Sequence, residues 1–242
     1  MNNTRQIKTF IGAMMLMGLS AAGYASATSH AWNGYFALAV LALAAATSKM
    51  KVKLPGINGN MSVNLPFLLT AALNLSAAEA VAITCVSTAV QCWPRKNAKV
   101  NLQQMSFNLS MMAFASSAAT LAFHAVSQSA TLGHSTTLGL VLATATLFLG
   151  QTAPVAGIVA VSEGRSAWPV WSSLAQLSFP YYIVGAGVTS MVQAMSLHLG
   201  WGLALAVSPV MYGIHRSYRM YFNAMAESLR PEVLVRTAGA GA

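Results

Sequence analysis

Apolar segments long enough to cross a lipid bilayer recur along nearly the whole chain of 242 residues. Hydrophobic residues make up 56% of the sequence and charged residues only 7%, whereas roughly 25% of the residues of an average soluble domain are charged. This pattern predicts an all-α fold, a polytopic membrane helix bundle, with the lipid bilayer as its main partner. We expect a single membrane-embedded helical domain over residues 1–230 and a short, disordered cytoplasmic tail over residues 231–242.

The positive charges lie between the apolar segments and at the chain ends. The net charge is +9, and basic residues cluster in runs such as 49–53 and 95–99. Lysine and arginine gather on the cytoplasmic side of a membrane, so both termini are predicted to be cytoplasmic. Anionic headgroups and topology account for these positions, and nucleic acid is not an expected partner.

Eight apolar segments predict about six full transmembrane helices plus a short or re-entrant helix pair. The first segment also has the form of a signal peptide, because a charged start precedes it and Ala25-Ser26-Ala27 offers a small-residue cleavage site. Its retention and its cleavage both stay open. The segments cover residues 10–27, 34–48, 64–73, 77–93, 104–126, 137–161, 170–197 and 201–221.

The third and fourth segments form the short pair. Basic runs flank the pair on both sides, so both of its ends are predicted to lie on the same side of the membrane. Ten helical residues reach about 15 Å, which is half of a roughly 30 Å hydrocarbon core. The pair is therefore predicted to enter the bilayer from the cytoplasm and to turn within it at Asn74-Leu75-Ser76.

Glu79 is an acidic residue placed inside an apolar segment. An ionisable residue within a membrane is a candidate functional residue. Glu79 also falls in the first turn of the fourth segment, where a carboxylate is favoured by the helix dipole, and it has capping-box spacing from Ser76. Capping is the favoured interpretation, ligand binding is the alternative, and one side chain can serve both.

Further amides and prolines predict polar groups within the bundle. Asn108 is the deepest residue of a polar face on the fifth segment. Pro154 removes a helix hydrogen bond beside Gln151, and Pro180, where the seventh segment is predicted to break, frees the carbonyl of Gln176. Broken helices present such groups to ligands in transporters, although plain kinks give the same pattern. The candidate ligand-binding residues, expected to line one polar pocket bounded by segments three to seven, are Asn64, Asn74, Glu79, Asn108, Gln151 and Gln176.

The sequence contains no arrangement of residues that predicts catalysis, and no cofactor or metal is expected. Aspartate is absent, so aspartate-based metal, phosphotransfer and triad chemistry lacks its key group. Cys85 and Cys92 lie about 10 Å apart by helix rise, which is too far for a disulfide. Four histidines lie at or near the predicted outer ends of the apolar segments: His30, His124, His134 and His198. A role as ordinary interfacial residues is favoured over a metal or pH-sensing site made from them.

Several stretches of the chain resemble one bacterial family. They are Lys51–Asn64 with its Pro-Gly and Met-Ser-Val steps, Phe107-Asn108, Gln151–Gly164, Ser178–Tyr182 and Tyr218–Tyr221. Together they are similar to the N-terminal multi-helix membrane region of bacterial HD-GYP and GGDEF signalling proteins, in which a cytoplasmic cyclic-dinucleotide domain follows. Nothing long enough to fold follows Pro231 here. The resemblance therefore implies a stand-alone module of the bacterial inner membrane without cyclic-dinucleotide turnover.

Three functions stay open at this point. The leading hypothesis is a non-enzymatic sensory or ligand-binding membrane module, with a small-molecule ligand and a membrane or cytoplasmic protein partner. The first alternative is a small-molecule transporter, or a substrate-binding membrane subunit of an uptake system, because small-residue faces suit docking to another membrane subunit. The second alternative is a structural or assembly partner without a pocket.

Overall fold

The structure is a computed structural model that describes residues 2–29, 32–53, 60–94, 100–129, 134–199 and 209–224. The described residues are mostly helical, as predicted, with a short antiparallel hairpin of two three-residue strands in addition. In chain order the elements are α1 (Asn2–Thr28), α2 (Gly34–Ser48), β1 (Lys51–Lys53), β2 (Asn60–Ser62), α3 (Leu65–Asn74), α4 (Ala77–Cys92), α5 (Leu102–Ser127), α6 (Thr136–Glu163) and α7 (Ala167–Leu199). Residues 209–224 form a further helix, α8.

Three helices of the described residues are long and apolar enough to cross a membrane: Thr4–Thr28, Leu102–Ser127 and Thr136–Glu163. Helices α2, α3 and α4 are apolar but shorter, with 15, 10 and 16 residues. The predicted short pair, α3 and α4, is confirmed, whereas six full-length crossings are not found in the part of the chain that the structure describes. The start of the predicted eighth segment, the basic run at 95–99 and the tail at 231–242 lie outside the described residues.

The turn between α3 and α4 lies beside the connection between α1 and α2. The Ala78 amide donates to the Ser29 hydroxyl at 3.0 Å, and the Asn33 amide donates to the Glu79 carboxylate at 2.7 Å. Because α1 has 27 residues and a length of about 40 Å, a turn at its C-terminal end lies at one end of the bundle. The turn at Asn74-Leu75-Ser76 therefore lies level with the C-terminal end of α1 and not midway along it.

The strand hairpin extends the short helix α3 at its N-terminal end. Val52 of β1 pairs with Met61 of β2, and α3 follows β2 directly. Helices α2 and α4 run parallel, since their N-terminal ends share the contact at Glu79 and the Lys49 ammonium lies 3.4 Å from the Trp93 carbonyl at their C-terminal ends. Helix α3 alone is shorter than α2 and α4. Together, the hairpin and α3 therefore extend along the full length of these two helices.

Helix α7 continues through Pro180, so the predicted break at Ser178–Pro180 is wrong. Aromatic contacts on both sides of the proline hold the helix in place. The rings of Phe179 and Tyr182 lie 6.1 and 5.1 Å from the ring of Phe148 on α6. Packing against neighbouring helices makes a proline tolerable in such a helix, although the proline still has no amide hydrogen to donate.

Helix α5 packs closely against α1 and α6 at positions where the neighbouring helix has a glycine. At Gly18 of α1, an added Cβ would lie 2.5 Å from the carbonyl oxygen of Ser110 and 2.6 Å from its Cα. At Gly150 of α6, an added Cβ would lie 2.8 Å from the Cβ of Ala115. Small residues allow such close backbone approach between membrane helices. They place α5 in direct contact with both α1 and α6.

We expect Gly18→Ala to lower the free energy of unfolding by about 1–3 kcal/mol, because the added methyl group meets backbone atoms of Ser110 that cannot turn aside. Gly23→Ala is the control on the same helix, where nothing lies within 4 Å of an added Cβ. It should be neutral or slightly stabilising, since alanine favours a helix. Denaturant titration in detergent measures both variants, and equal stability of the two would contradict the close contact.

Candidate functional site

Glu79 begins α4 as a buried carboxylate, with 2% of its surface exposed. Its Oε2 accepts from the Ser76 amide at 3.0 Å and from the Ser76 hydroxyl at 2.7 Å, and its Oε1 accepts from the Asn33 amide at 2.7 Å. The Glu79 amide donates back to the Ser76 hydroxyl at 3.4 Å, which completes the capping box. The predicted capping role is confirmed. We call Ser29, Asn33, Ser76 and Glu79 the α4 cap.

A second hydrogen-bonded group, buried except for the half-buried Gln91, holds the hairpin to α7. The Tyr181 hydroxyl donates to the Ser62 carbonyl at 2.7 Å and accepts from the Leu65 amide at 2.9 Å. The Ser62 hydroxyl lies 2.8 Å from Oδ1 of Asn64 and 3.1 Å from Oε1 of Gln91. We call these five residues the hairpin anchor. It joins β2, α3, α4 and α7. The predicted ligand-binding residue Asn64 belongs to this group, and its side-chain oxygen is engaged in a contact within the protein.

Within the described residues, the other predicted residues form no hydrogen bond with the α4 cap or with the hairpin anchor. Asn74 is exposed at the end of α3, and its amide donates to the Thr70 carbonyl at 3.0 Å. The Asn108 amide on α5 lies 3.4 Å from the Cys92 sulfur on α4. Gln151 is half-buried on α6. The structure therefore does not gather the six predicted ligand-binding residues into one pocket.

An open cleft of about 370 Å³ lies between α7 and α8. Gln176, the sixth predicted residue, is exposed there. Pro180 cannot donate to the Gln176 carbonyl, so this backbone acceptor lacks its regular helix donor. The cleft thus combines amide and hydroxyl side chains with aromatic and aliphatic walls. Its lining residues are Gln176, Leu177, Pro180, Ser217, Tyr218, Tyr221 and Phe222.

Tyr218 connects the cleft to the hairpin anchor. The ring centroids of Tyr181 and Tyr218 lie 6.1 Å apart, with the rings nearly perpendicular at 85°. The ring of Tyr218 also lies 5.9 Å from that of Phe222, which lines the cleft. Aromatic pairs of this kind contribute about 0.5–1.5 kcal/mol beyond their buried area. A displacement of Tyr218 therefore acts on the side chain that holds the hairpin.

Three important residues are missing from the sequence-based site prediction. Tyr181 carries a usable signal, because a tyrosine buried in an apolar helix needs a partner for its hydroxyl. Gln91 has a weaker one, as an amide near the end of a predicted membrane helix. Ser217 has no local signal, since its importance comes only from its position across the cleft from Gln176.

Comparisons with protein-family models, with curated proteins and with solved structures find no match. Within the described residues, no group of three or more histidine, cysteine, aspartate or glutamate side chains is placed to hold a metal ion. Function is therefore inferred from the cleft and from its contact with the hairpin anchor.

We expect Glu79→Ala to lower the free energy of unfolding by about 2–3 kcal/mol, because the Asn33 and Ser76 amides lose a charged acceptor in a buried place. Glu79→Gln keeps one acceptor oxygen and should cost about half as much. Glu163→Ala is the matched control, since Glu163 is exposed and, among the described residues, pairs with Arg165 alone at the surface. Denaturant titration compares the three. Equal stability of the two alanine variants would show that the α4 cap does not support the fold.

Proposed function

We propose that the chain is a multi-pass protein of the bacterial inner membrane and acts as a non-enzymatic sensory or ligand-binding module. Helices of membrane-crossing length and composition support insertion into a bilayer. The basic residues between the apolar segments support an orientation with both termini in the cytoplasm. The resemblance to the membrane region of HD-GYP and GGDEF signalling proteins favours a sensory role.

The observation that carries this proposal is an open cleft with exposed polar side chains, in a bundle whose buried polar side chains, among the described residues, nearly all make internal hydrogen bonds. Among the described residues, the one side-chain nitrogen or oxygen atom that is itself fully buried and has no hydrogen-bond partner is His215 Nδ1. The Glu79 carboxylate and the Tyr181 hydroxyl are occupied. Gln176 and Ser217, in contrast, are exposed in a cleft whose volume falls in the range of small-molecule pockets, about 300–1,000 Å³.

The contact between the cleft and the hairpin anchor supports a sensory role. A ligand that enters the cleft meets Tyr218, whose ring edge contacts Tyr181. Tyr181 in turn bonds the backbone at Ser62 and Leu65. The hairpin begins at the basic run that is expected to face the cytoplasm. Binding in the cleft can therefore change how firmly a cytoplasm-facing hairpin is held, and a protein partner would detect that change.

The two alternatives fit the described residues less well. A transporter needs a polar substrate site near the middle of its bundle, and the interior polar groups at Glu79, Asn64 and Tyr181 already bond to one another or to the backbone. A purely structural partner would account for the α4 cap, but it gives no role to the outward-facing groups of the cleft. Occupancy of the cleft distinguishes the three functions.

We expect Ser217→Phe to fill the cleft and to reduce the amount of co-purified small-molecule ligand that the protein retains by roughly ten-fold or more, which corresponds to a loss of binding free energy of about 1.4 kcal/mol or more. Asn223→Phe is the control, because Asn223 is exposed on the same helix but does not line the cleft. Native mass spectrometry of the purified proteins measures the adduct. The wild type and the control should carry it in equal amounts. Equal amounts of bound ligand on all three proteins would exclude the cleft as the binding site. Absence of bound ligand from all three would contradict ligand binding.

A further inference from the structure

The walls of the cleft between α7 and α8 are neutral. Among the described residues that line it, none is a lysine, arginine, histidine, aspartate or glutamate. The lining consists of one amide side chain, one serine, two tyrosines and three apolar residues. A charged ligand would leave water and meet no opposite charge on these walls, and the burial of an unpaired charge is costly. The cleft therefore favours an uncharged ligand.

The polar side chains of the cleft can all donate hydrogen bonds. Gln176 offers an amide NH₂ group, and Ser217, Tyr218 and Tyr221 each offer a hydroxyl group. Gln176 and Ser217 are exposed, and their side chains make no hydrogen bond to another described residue. A ligand that covers them must supply acceptors, because a polar group that loses water without gaining a partner weakens binding. Carbonyl oxygens meet this need, whereas an acyl chain does not.

Aromatic rings form much of the α8 wall. The ring centroid of Phe222 lies 5.9 Å from that of Tyr218 and 5.4 Å from that of Tyr221. The lining residues span about 6 Å along α7 and about 7.5 Å along α8, which is comparable to the length of one substituted six-membered ring. Aromatic side chains contact a planar ring by offset stacking or through their edges. The shape and the walls of the cleft therefore favour one planar ring.

The cleft lies beside apolar surface of α7. Ile183 and Val184 follow Pro180 by three and four residues, so they lie on the same face of the helix. They are 56% and 38% exposed. Large apolar side chains exposed on a membrane helix face the hydrocarbon chains of the lipid. A molecule dissolved in the bilayer therefore has access to the cleft from this side.

We propose that the cleft binds one uncharged, planar ring that carries carbonyl oxygens, as the headgroup of a quinone does. The Gln176 amide and the Ser217 hydroxyl donate to the carbonyl oxygens, and the rings of Tyr218 and Tyr221 contact the face or the edge of the bound ring. This inference rests on the proposed function, because it names the ligand class of the same cleft. The ring belongs either to a tailed quinone of the bilayer or to a free ring compound from the water.

The test uses the whole chain in phosphatidylcholine nanodiscs and three probes at equal concentration. Decylubiquinone has a tail that dissolves in the bilayer, duroquinone has a ring without a tail, and benzoate has a charged ring. Native mass spectrometry counts the molecules that each protein retains. The wild type should retain one quinone, and it should retain benzoate at least ten-fold less. Stronger retention of decylubiquinone than of duroquinone identifies the bilayer as the source, and equal retention identifies a free ring compound.

Two exposed residues of the cleft provide the variants. Gln176→Leu should retain about five-fold less quinone, because the carbonyl loses a donor. Tyr221→Leu should retain about two- to ten-fold less, because the bound ring loses an aromatic contact. Their controls are Gln103→Leu on α5 and Tyr212→Leu on α8. Gln103 is exposed, Tyr212 is 59% exposed against 58% for Tyr221, and neither control residue lines the cleft. Both controls should retain as much quinone as the wild type.

Three results would overturn the quinone assignment: no quinone on the wild type, equal quinone retention by the cleft variants and their controls, or benzoate retained as strongly as duroquinone. In each case, loss of the co-purified ligand in Ser217→Phe would leave the cleft as the ligand site with a different ligand. If neither Ser217→Phe nor the cleft variants change any bound species, the proposed function fails together with the quinone assignment.

Discussion

The Tyr181 hydroxyl holds the least regular part of the bundle in place. The chain passes from β2 into α3 at buried residues, where a regular hydrogen-bond ladder no longer supplies partners for the backbone. Tyr181 gives a donor to the Ser62 carbonyl and an acceptor to the Leu65 amide. A buried polar group left without a partner costs about 1–3 kcal/mol. This one side chain therefore determines where the hairpin and α3 sit against α7.

The two ends of α3 are supported in different ways, and the difference explains where polar groups remain available. At its C-terminal end, the α4 cap uses both carboxylate oxygens of Glu79 on the turn and on the α1–α2 connection. The N-terminal end of α3 is held by Tyr181, which directly follows Pro180 in α7. The same short stretch of α7 thus anchors the hairpin through Tyr181 and lines the cleft through Gln176 and Pro180. The cleft and the hairpin share one structural support.

Local signals in the sequence predict the local structure well. The spacing of Ser76 and Glu79 predicts the capping box, and the bounds of α2 agree with the predicted segment at 34–48. The position of the turn between α3 and α4 along the bundle is not predictable in this way. It depends on the contact of Glu79 with Asn33, which lies 46 residues earlier in the chain. Continuity through Pro180 likewise depends on aromatic rings of another helix, and the cleft exists only because α8 packs beside α7. Such pairings are set by the whole bundle, and no single segment encodes them.

The anchoring role of Tyr181 is tested most directly by Tyr181→Phe, with Tyr182→Phe as its control. Both tyrosines are 4% exposed, but within the described residues Tyr182 makes ring contacts and its hydroxyl makes no hydrogen bond. Hydrogen–deuterium exchange reports on the Leu65 amide, and denaturant titration reports on the whole fold. Tyr181→Phe is predicted to speed exchange at Leu65 by roughly ten-fold or more and to lower the free energy of unfolding by about 1–3 kcal/mol, while Tyr182→Phe does neither. Wild-type exchange and stability in Tyr181→Phe would contradict the anchor.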